Sequence, residues 1–217
     1  MSESFKYSIH FPADNYILID FGNRIDENLN KFIMAFEKEL IHDAILEVIP
    51  AYSSILIEYD HKKVTRHEMN RLIKDIKPDL LNAAGSLHEI PVVYGGEHGP
   101  DLSAVAEKSG LSEDDVIRLH TSAVYRVFML GFLPGFCYLG GLDPRLEIKR
   151  LDSPRLMIPA GSVGIAGRQT GIYPSDSPGG WRIIGRTRYK LYNPGTENIF
   201  PVKPGDSIRF KAVQNGF

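Results

Sequence analysis

The chain has 217 residues, 43% of them hydrophobic and 24% charged, and its 25 basic and 27 acidic side chains leave a formal net charge of −2. That balance suits one large or two small globular domains and argues against the concentrated basic face that nucleic-acid binding needs; the densest basic stretch, Arg182, Arg186, Arg188 and Lys190, is interleaved with apolar residues and reads as a strand and its neighbours. A single cysteine, Cys137, excludes an internal disulfide and a thiolate zinc cluster, Met1–His10 lacks a secretory leader pattern, and no apolar run approaches the roughly 20 residues of a membrane span, so a cytoplasmic protein holding no metal is expected.

In chain order, Tyr16–Phe21 is rich in β-formers and ends at Gly22. Asp26 can cap a helix whose apolar face is Leu29, Phe32, Ile33, Phe36 and Leu40. Ala44–Pro50 and Ile55–Tyr59 read as two strands around Ser53-Ser54. Thr65 and Glu68 have capping-box spacing ahead of Met69, Leu72, Ile73 and Ile76, and Pro78 ends that helix. The order β-β-α-β-β-α predicts two helices over one face of an antiparallel sheet, a small α+β domain ending near Ser86.

A second region opens with a strand, His88–Tyr94. A helix from about Asp101 to Ser109 stops at Gly110, and another is capped by Ser112 and reaches about His120. Two short helices in series suggest a DNA-binding helix-turn-helix, but Glu113-Asp114-Asp115 at the second helix start would repel phosphate. From Ala123 onward, glycines and prolines punctuate short runs: Tyr125–Leu130, Arg155–Ile158, Ser162–Ala166, Trp181–Gly185 and Ser207–Phe210. Many short strands with frequent turns predict an all-β barrel or sandwich.

Three stretches carry the chemistry: GFLPGFCYLGGL from Gly131, PAGSVGIAGRQTGIYP from Pro159 and SPGGWRIIGRT from Ser177. Phe132, Phe136, Tyr138, Tyr173 and Trp181 can wall an apolar pocket, and Ser162, Gln169, Thr170 and Arg186 can orient a small ligand there. On texture alone, the plainer reading is that the glycines and prolines turn barrel corners and the aromatics fill the core. Gly164-Ile165-Ala166-Gly167 lacks the Gly-Lys-Ser/Thr ending of a P-loop, so nucleotide binding through such a loop is not expected.

These three stretches, in order and closely spaced, resemble the carboxyltransferase C/D family, also called allophanate hydrolase subunit 1. The resemblance runs from Gly110 to Asp206 and, with weaker motifs, into the N-terminal half. It implies an α+β first subdomain of ferredoxin-like character over residues 1–86, then a cyclophilin-like β-barrel over 87–217. It also implies the B component of an ATP-dependent 5-oxoprolinase complex that cleaves 5-oxo-L-proline to L-glutamate, with the C component as direct partner and an A component as the third member. ATP would be a co-substrate of the complex. No biotin-carrier segment or biotin-carboxylase-like domain is recognisable, so biotin is not expected on this chain. The alternative implied is a binding module that inhibits a sporulation-type histidine kinase.

For lactam opening, His120 and Arg155 are the candidate catalytic residues. His120 can act as acid or base, or simply complement a helix C-terminus. Arg155 or Arg186 can clamp a carboxylate or phosphate, or form a surface salt bridge. Phe132, Phe136, Tyr173 and Trp181 would wall the site, with Ser162, Gln169 and Thr170 bonding the lactam or satisfying barrel turns. Ser162 lacks nucleophile-elbow spacing, and Cys137 reads as an inert buried thiol.

Overall fold

Local signals set most element ends in the computed structural model of the chain, which describes residues 5–80 and 85–214. The Asp26 carboxylate accepts from the Leu29 N–H at 2.8 Å and starts helix α1 (Glu27–Lys38). Thr65 Oγ1 accepts from the Glu68 N–H at 3.3 Å, and the Glu68 carboxylate accepts from the Thr65 N–H at 2.8 Å, which starts helix α2 (Arg66–Asp75). Each such cap contributes about 1 kcal/mol by satisfying donors that have no partner inside the helix. The chain divides into two units, residues 1–84 and 85–217.

The first unit is a four-stranded antiparallel sheet in the order β1-β2-β4-β3, built from β1 (Ser8–Ala13), β2 (Tyr16–Asp20), β3 (Ile45–Pro50) and β4 (Ser54–Tyr59). Alternation decides which side is covered: Ile17, Ile19, Ile55, Ile57 and Tyr59 are buried, at every second position of β2 and β4. They form one core with Leu29, Phe32, Ile33 and Phe36 of α1 and Met69 and Ile73 of α2. Full burial of each such side chain contributes roughly 1.5–3 kcal/mol.

The second unit is a closed seven-stranded barrel in the order β10-β7-β6-β13-β5-β12-β9. Its strands are β5 (Leu87–Tyr94), β6 (Tyr125–Leu130), β7 (Cys137–Gly140), β9 (Ser162–Ala166), β10 (Gln169–Ile172), β12 (Arg182–Arg186) and β13 (Ser207–Ala212). All neighbouring pairs are antiparallel except β13 with β5, which run parallel from Ser207–Leu87 to Ala212–Val92. A ribbon of β8 (Arg155–Ile158) and β11 (Ser177–Gly179) stands apart from the barrel. Helices α3 (Leu102–Ser109) and α4 (Glu113–Ser122) pack on each other and over β12 and β13 respectively. Gly110, at φ +68°, takes the left-handed conformation that stops α3.

Three strands lie in runs that read as loops from sequence: β7, β10 and β11. The last strand extends past Phe210 to Ala212, and β12 starts at Arg182, leaving Trp181 just outside it. Closure of the barrel explains the missing signal. All five residues of β9 are buried, and three of the four in β10, so in these strands no polar face alternates with an apolar one.

Candidate functional site

The turn from β6 to β7 builds the site. Gly131 N–H donates to the Phe136 carbonyl, Phe136 N–H donates to the Leu133 carbonyl, and Gly135 adopts φ +83°. Gly135 must be glycine, because an added Cβ would lie 2.6 Å from the Leu191 carbonyl oxygen. Phe132 sits at φ +70°, a conformation that costs a bulky residue energy and is concentrated at functional sites. The turn lifts Phe132 out to 61% exposure and drives Phe136 inward to 1%.

Phe136 is the hub of the aromatic cluster. Its ring meets Phe132 at 5.6 Å, Tyr138 at 4.8 Å, Tyr173 at 5.1 Å and Trp181 at 5.4 Å, all edge to face. Such pairs add about 0.5–1.5 kcal/mol each beyond area burial and fix ring orientations. The cluster lines a cavity of about 250 Å³. Glycine shapes its wall too: a Cβ on Gly179 would fall 2.5 Å from the Tyr173 hydroxyl.

One cation belongs to this cavity. Arg150 lines it with the aromatics, and its charge acts on the Tyr138 and Tyr173 phenols. The Leu151 N–H donates to the Gly180 carbonyl at 2.7 Å, which holds the segment carrying Arg150 against the cavity loop. Burial pushes the Tyr173 phenol up to about 12, against a hydrogen bond with the Trp181 backbone and the nearby Arg150 and Arg155, so it stays protonated at neutral pH. The site can therefore take a small, flat, anionic molecule: rings to stack on, a guanidinium at the rim and a neutral phenol as proton donor.

The other expected residues lie elsewhere. His120 is fully buried in the barrel, stacked on Phe210 at 4.6 Å. Thr170 Oγ1 donates to the Gly164 carbonyl at 2.9 Å, so His120 Nε2–H donates to Thr170 at 2.9 Å and Nδ1 accepts from the Tyr94 hydroxyl at 2.7 Å. Burial drives the imidazole down to about 3, so it is neutral. Arg155 is committed to Asp101, Nη1 to Oδ2 and Nη2 to Oδ1, each at 2.8 Å. Ser162 Oγ donates to the Pro159 carbonyl at 2.7 Å and is 2% exposed. Gln169 begins β10, half-buried and paired with Ala166. Arg186 lines a second, larger cleft with Ala160 and Gly161.

Residues 7–202 match the family described as carboxyltransferase domain, subdomain C and D. The chain belongs to this family. Among relatives of this carboxyltransferase subdomain C and D chain, the B subunit of 5-oxoprolinase from Bacillus subtilis is 39% identical over 96% of the chain and 93% of its own length. The protein of the same name from Escherichia coli O157:H7 is 53% identical over 64% of the chain and 63% of its own length. The crystal structure of TTHA0988 superposes with a TM-score of 0.83 at 36% identity, covering 92% of this chain and 40% of that one.

Within this family member the structure brings together Phe132, Phe136, Tyr173 and Trp181, and adds Arg150, Pro154 and Pro178, which sequence reading missed. Arg150 lies outside all three glycine-rich stretches, and its one sequence cue is a basic pair, Lys149-Arg150, shortly before Pro154.

Proposed function

We propose that this chain is the B component of an ATP-dependent 5-oxoprolinase and that the aromatic cavity holds the 5-oxo-L-proline ring. The observation that carries the reading is Arg150 at the rim of a closed set of aromatic rings. The cavity's volume of about 250 Å³ lies just under the 300–1,000 Å³ usual for small ligands, as suits a single five-membered ring. The lactam would pack on the accessible rings of Phe132 and Tyr138, which the buried Phe136 and Trp181 support, its carboxylate facing Arg150. The names and extent of the relatives support the same assignment.

Amide resonance makes the lactam carbonyl a poor electrophile. In the proposed chemistry the γ-phosphoryl group of ATP passes to the lactam oxygen and ADP leaves. Water adds to the activated carbon, the ring C–N bond breaks with the nitrogen taking a proton, and a second water releases phosphate from the resulting acyl phosphate. The sum is ATP, 5-oxo-L-proline and two waters giving ADP, phosphate and L-glutamate. Such a site must exclude bulk water. In this chain Phe132 is 61% exposed, and Leu156 and Met157, two and three residues beyond Pro154, are 94% and 66% exposed. We take these as the surface on which the C component docks to close the cavity, with the A component completing the complex, so the chain alone is expected to be inactive.

Residues 1–86 and 87–217 are taken as subdomains C and D, the first as a permuted ferredoxin-like unit whose opening strand occupies the edge held by the last strand of the β-α-β-β-α-β form, the second as a cyclophilin-like barrel. Neither the cavity nor the relatives' names favour the histidine-kinase reading. The test is reconstitution. The A and C components with the wild-type chain should release glutamate from 5-oxo-L-proline only when ATP is present, and Arg150→Ala should raise KM about tenfold or more, as expected for loss of a charge-assisted hydrogen bond. No glutamate from the three-protein mixture, or an unchanged KM in Arg150→Ala, overturns the assignment.

A further inference from the structure

The five rings that line the aromatic cavity differ in their freedom to move. Phe136, Tyr173 and Trp181 are buried and form a tightly packed floor, where a Cβ on Gly171 would fall 3.0 Å from the Trp181 ring and 3.1 Å from the Phe136 ring. Close-packed side chains of this kind do not yield by small amounts. Tyr138 is half-buried and held edge to face against Phe136 at 4.8 Å and Trp181 at 6.0 Å. Phe132 is mostly exposed, and its one ring neighbour among the described residues is Phe136.

The backbone carrying Phe132 is clamped. The Leu133 N–H donates to the Gly131 carbonyl at 2.9 Å, and the Phe136 N–H donates to the Leu133 carbonyl at 3.0 Å. Freedom is thus left to the side chain. Its ring borders two concavities, the aromatic cavity and an adjoining apolar groove of about 310 Å³ lined by Leu130, Leu133, Pro134 and Phe200. Rotation about the Cα–Cβ bond shifts the ring from one towards the other, with apolar contacts at both ends, and such rotamer changes of exposed side chains are fast.

We propose that Phe132 is the lid of the aromatic cavity and the residue that selects the size of the bound ring. The inference rests on the assignment of this cavity to 5-oxo-L-proline. With the lactam bound, the phenyl ring turns off the groove and covers the face of the lactam open to solvent, as lids over reactive sites do. A five-membered ring fits beneath it. A six-membered lactam carries one more methylene against a floor that does not yield, so it lifts the phenyl ring and loses that contact. One methylene in a fixed apolar pocket is worth about 10–200-fold in selectivity. The C component, docked on Phe132, would hold the lid down.

Calorimetric titration of the chain assembled with its C component tests this, with 5-oxo-L-proline and its six-membered homologue, 6-oxo-L-piperidine-2-carboxylate, as the two probes. The wild type should bind the five-membered lactam about 10–200-fold more tightly, Phe132→Ala should bring the two within about threefold, and Phe132→Leu should recover part of the preference. Phe200→Ala, which alters the groove and not the cavity, should keep the wild-type preference. Arg150→Ala should weaken both lactams alike, since both carry the carboxylate, and leave their ratio unchanged. A wild type without preference, an undiminished preference in Phe132→Ala, or an equal fall in Phe200→Ala each overturns the lid; weaker binding in Arg150→Ala would then leave the cavity assignment standing. No binding of either lactam, or binding unaltered in both Arg150→Ala and Phe132→Ala, removes the cavity assignment and the lid together.

Discussion

Arg155 and Asp101 lie 54 residues apart in sequence and meet through two parallel hydrogen bonds of 2.8 Å each. The same Asp101 carboxylate accepts from the Ile183 N–H at 2.7 Å, so one acidic side chain ties the β8 ribbon to β12 and to the start of α3. A guanidinium so placed has its charge answered within the fold.

This pair yields a stability prediction. Asp101 is 5% exposed, so Arg155→Met strands a buried carboxylate with one remaining backbone donor. A loss of about 3 kcal/mol is expected, measured as the shift of the urea unfolding midpoint at pH 7. Adding Asp101→Asn should recover part of it, since the amide no longer needs a counter-charge. A single Arg155→Met variant as stable as wild type would show the pair to be dispensable.

Phe136 should be the costliest aromatic to lose. It is 1% exposed and touches four rings, so Phe136→Ala is expected to destabilise the chain by about 3–5 kcal/mol. Phe132→Ala removes a side chain 61% exposed and one edge-to-face pair, so it should cost only about 0.5–1.5 kcal/mol. Thermal unfolding of the two variants side by side gives the contrast, and equal losses would contradict it.

His120 makes stability fall with acid. Its unfolded value is 6.5 and burial brings the folded value down to about 3, so below pH 6.5 the unfolded chain takes up a proton that the folded chain refuses. The contribution is complete above pH 6.5 and is lost as pH falls towards 3, with a slope of up to about 1.4 kcal/mol per pH unit. Denaturant unfolding between these limits should show that slope in the wild type and a shallower one in His120→Gln; parallel curves would refute the assignment of the titration to this residue.

Cys137 should be chemically silent until the barrel opens. It is fully buried, and burial together with the Asp206 charge pushes its thiol up to about 12, so almost no thiolate exists at neutral pH. A thiol reagent is expected to label the native chain only at the rate of unfolding and the urea-unfolded chain at once. Rapid labelling of folded protein would mean the β7 strand opens locally.

The helices were legible because their signals are local. Asp26, Thr65 with Glu68, and Ser112 each announce a helix start within four residues, and the α1 and α2 apolar faces follow the helical repeat. Barrel strands β7 and β10 were not, because Cys137–Gly140 and Gln169–Ile172 are short, contain glycine and are mostly buried. Their strand character comes from neighbours distant in sequence: β10 pairs with both β7 and β9. The site shows the same division. Its five aromatics stand in glycine-rich stretches that draw attention, whereas Arg150 is brought to them by the Leu151–Gly180 hydrogen bond, a contact that no spacing rule encodes.

The parallel pairing of β13 with β5 bears on how the protein is made. β13 lies between β5 and β6 in the barrel, yet it is synthesised more than a hundred residues after β5 begins. The first unit can collapse on the ribosome as soon as its sheet has emerged, but the barrel must wait with a gap in its wall for Ser207–Ala212. Such long-range closure is slow, and during translation the unpaired edges of β5 and β6 are open to chaperones and to aggregation.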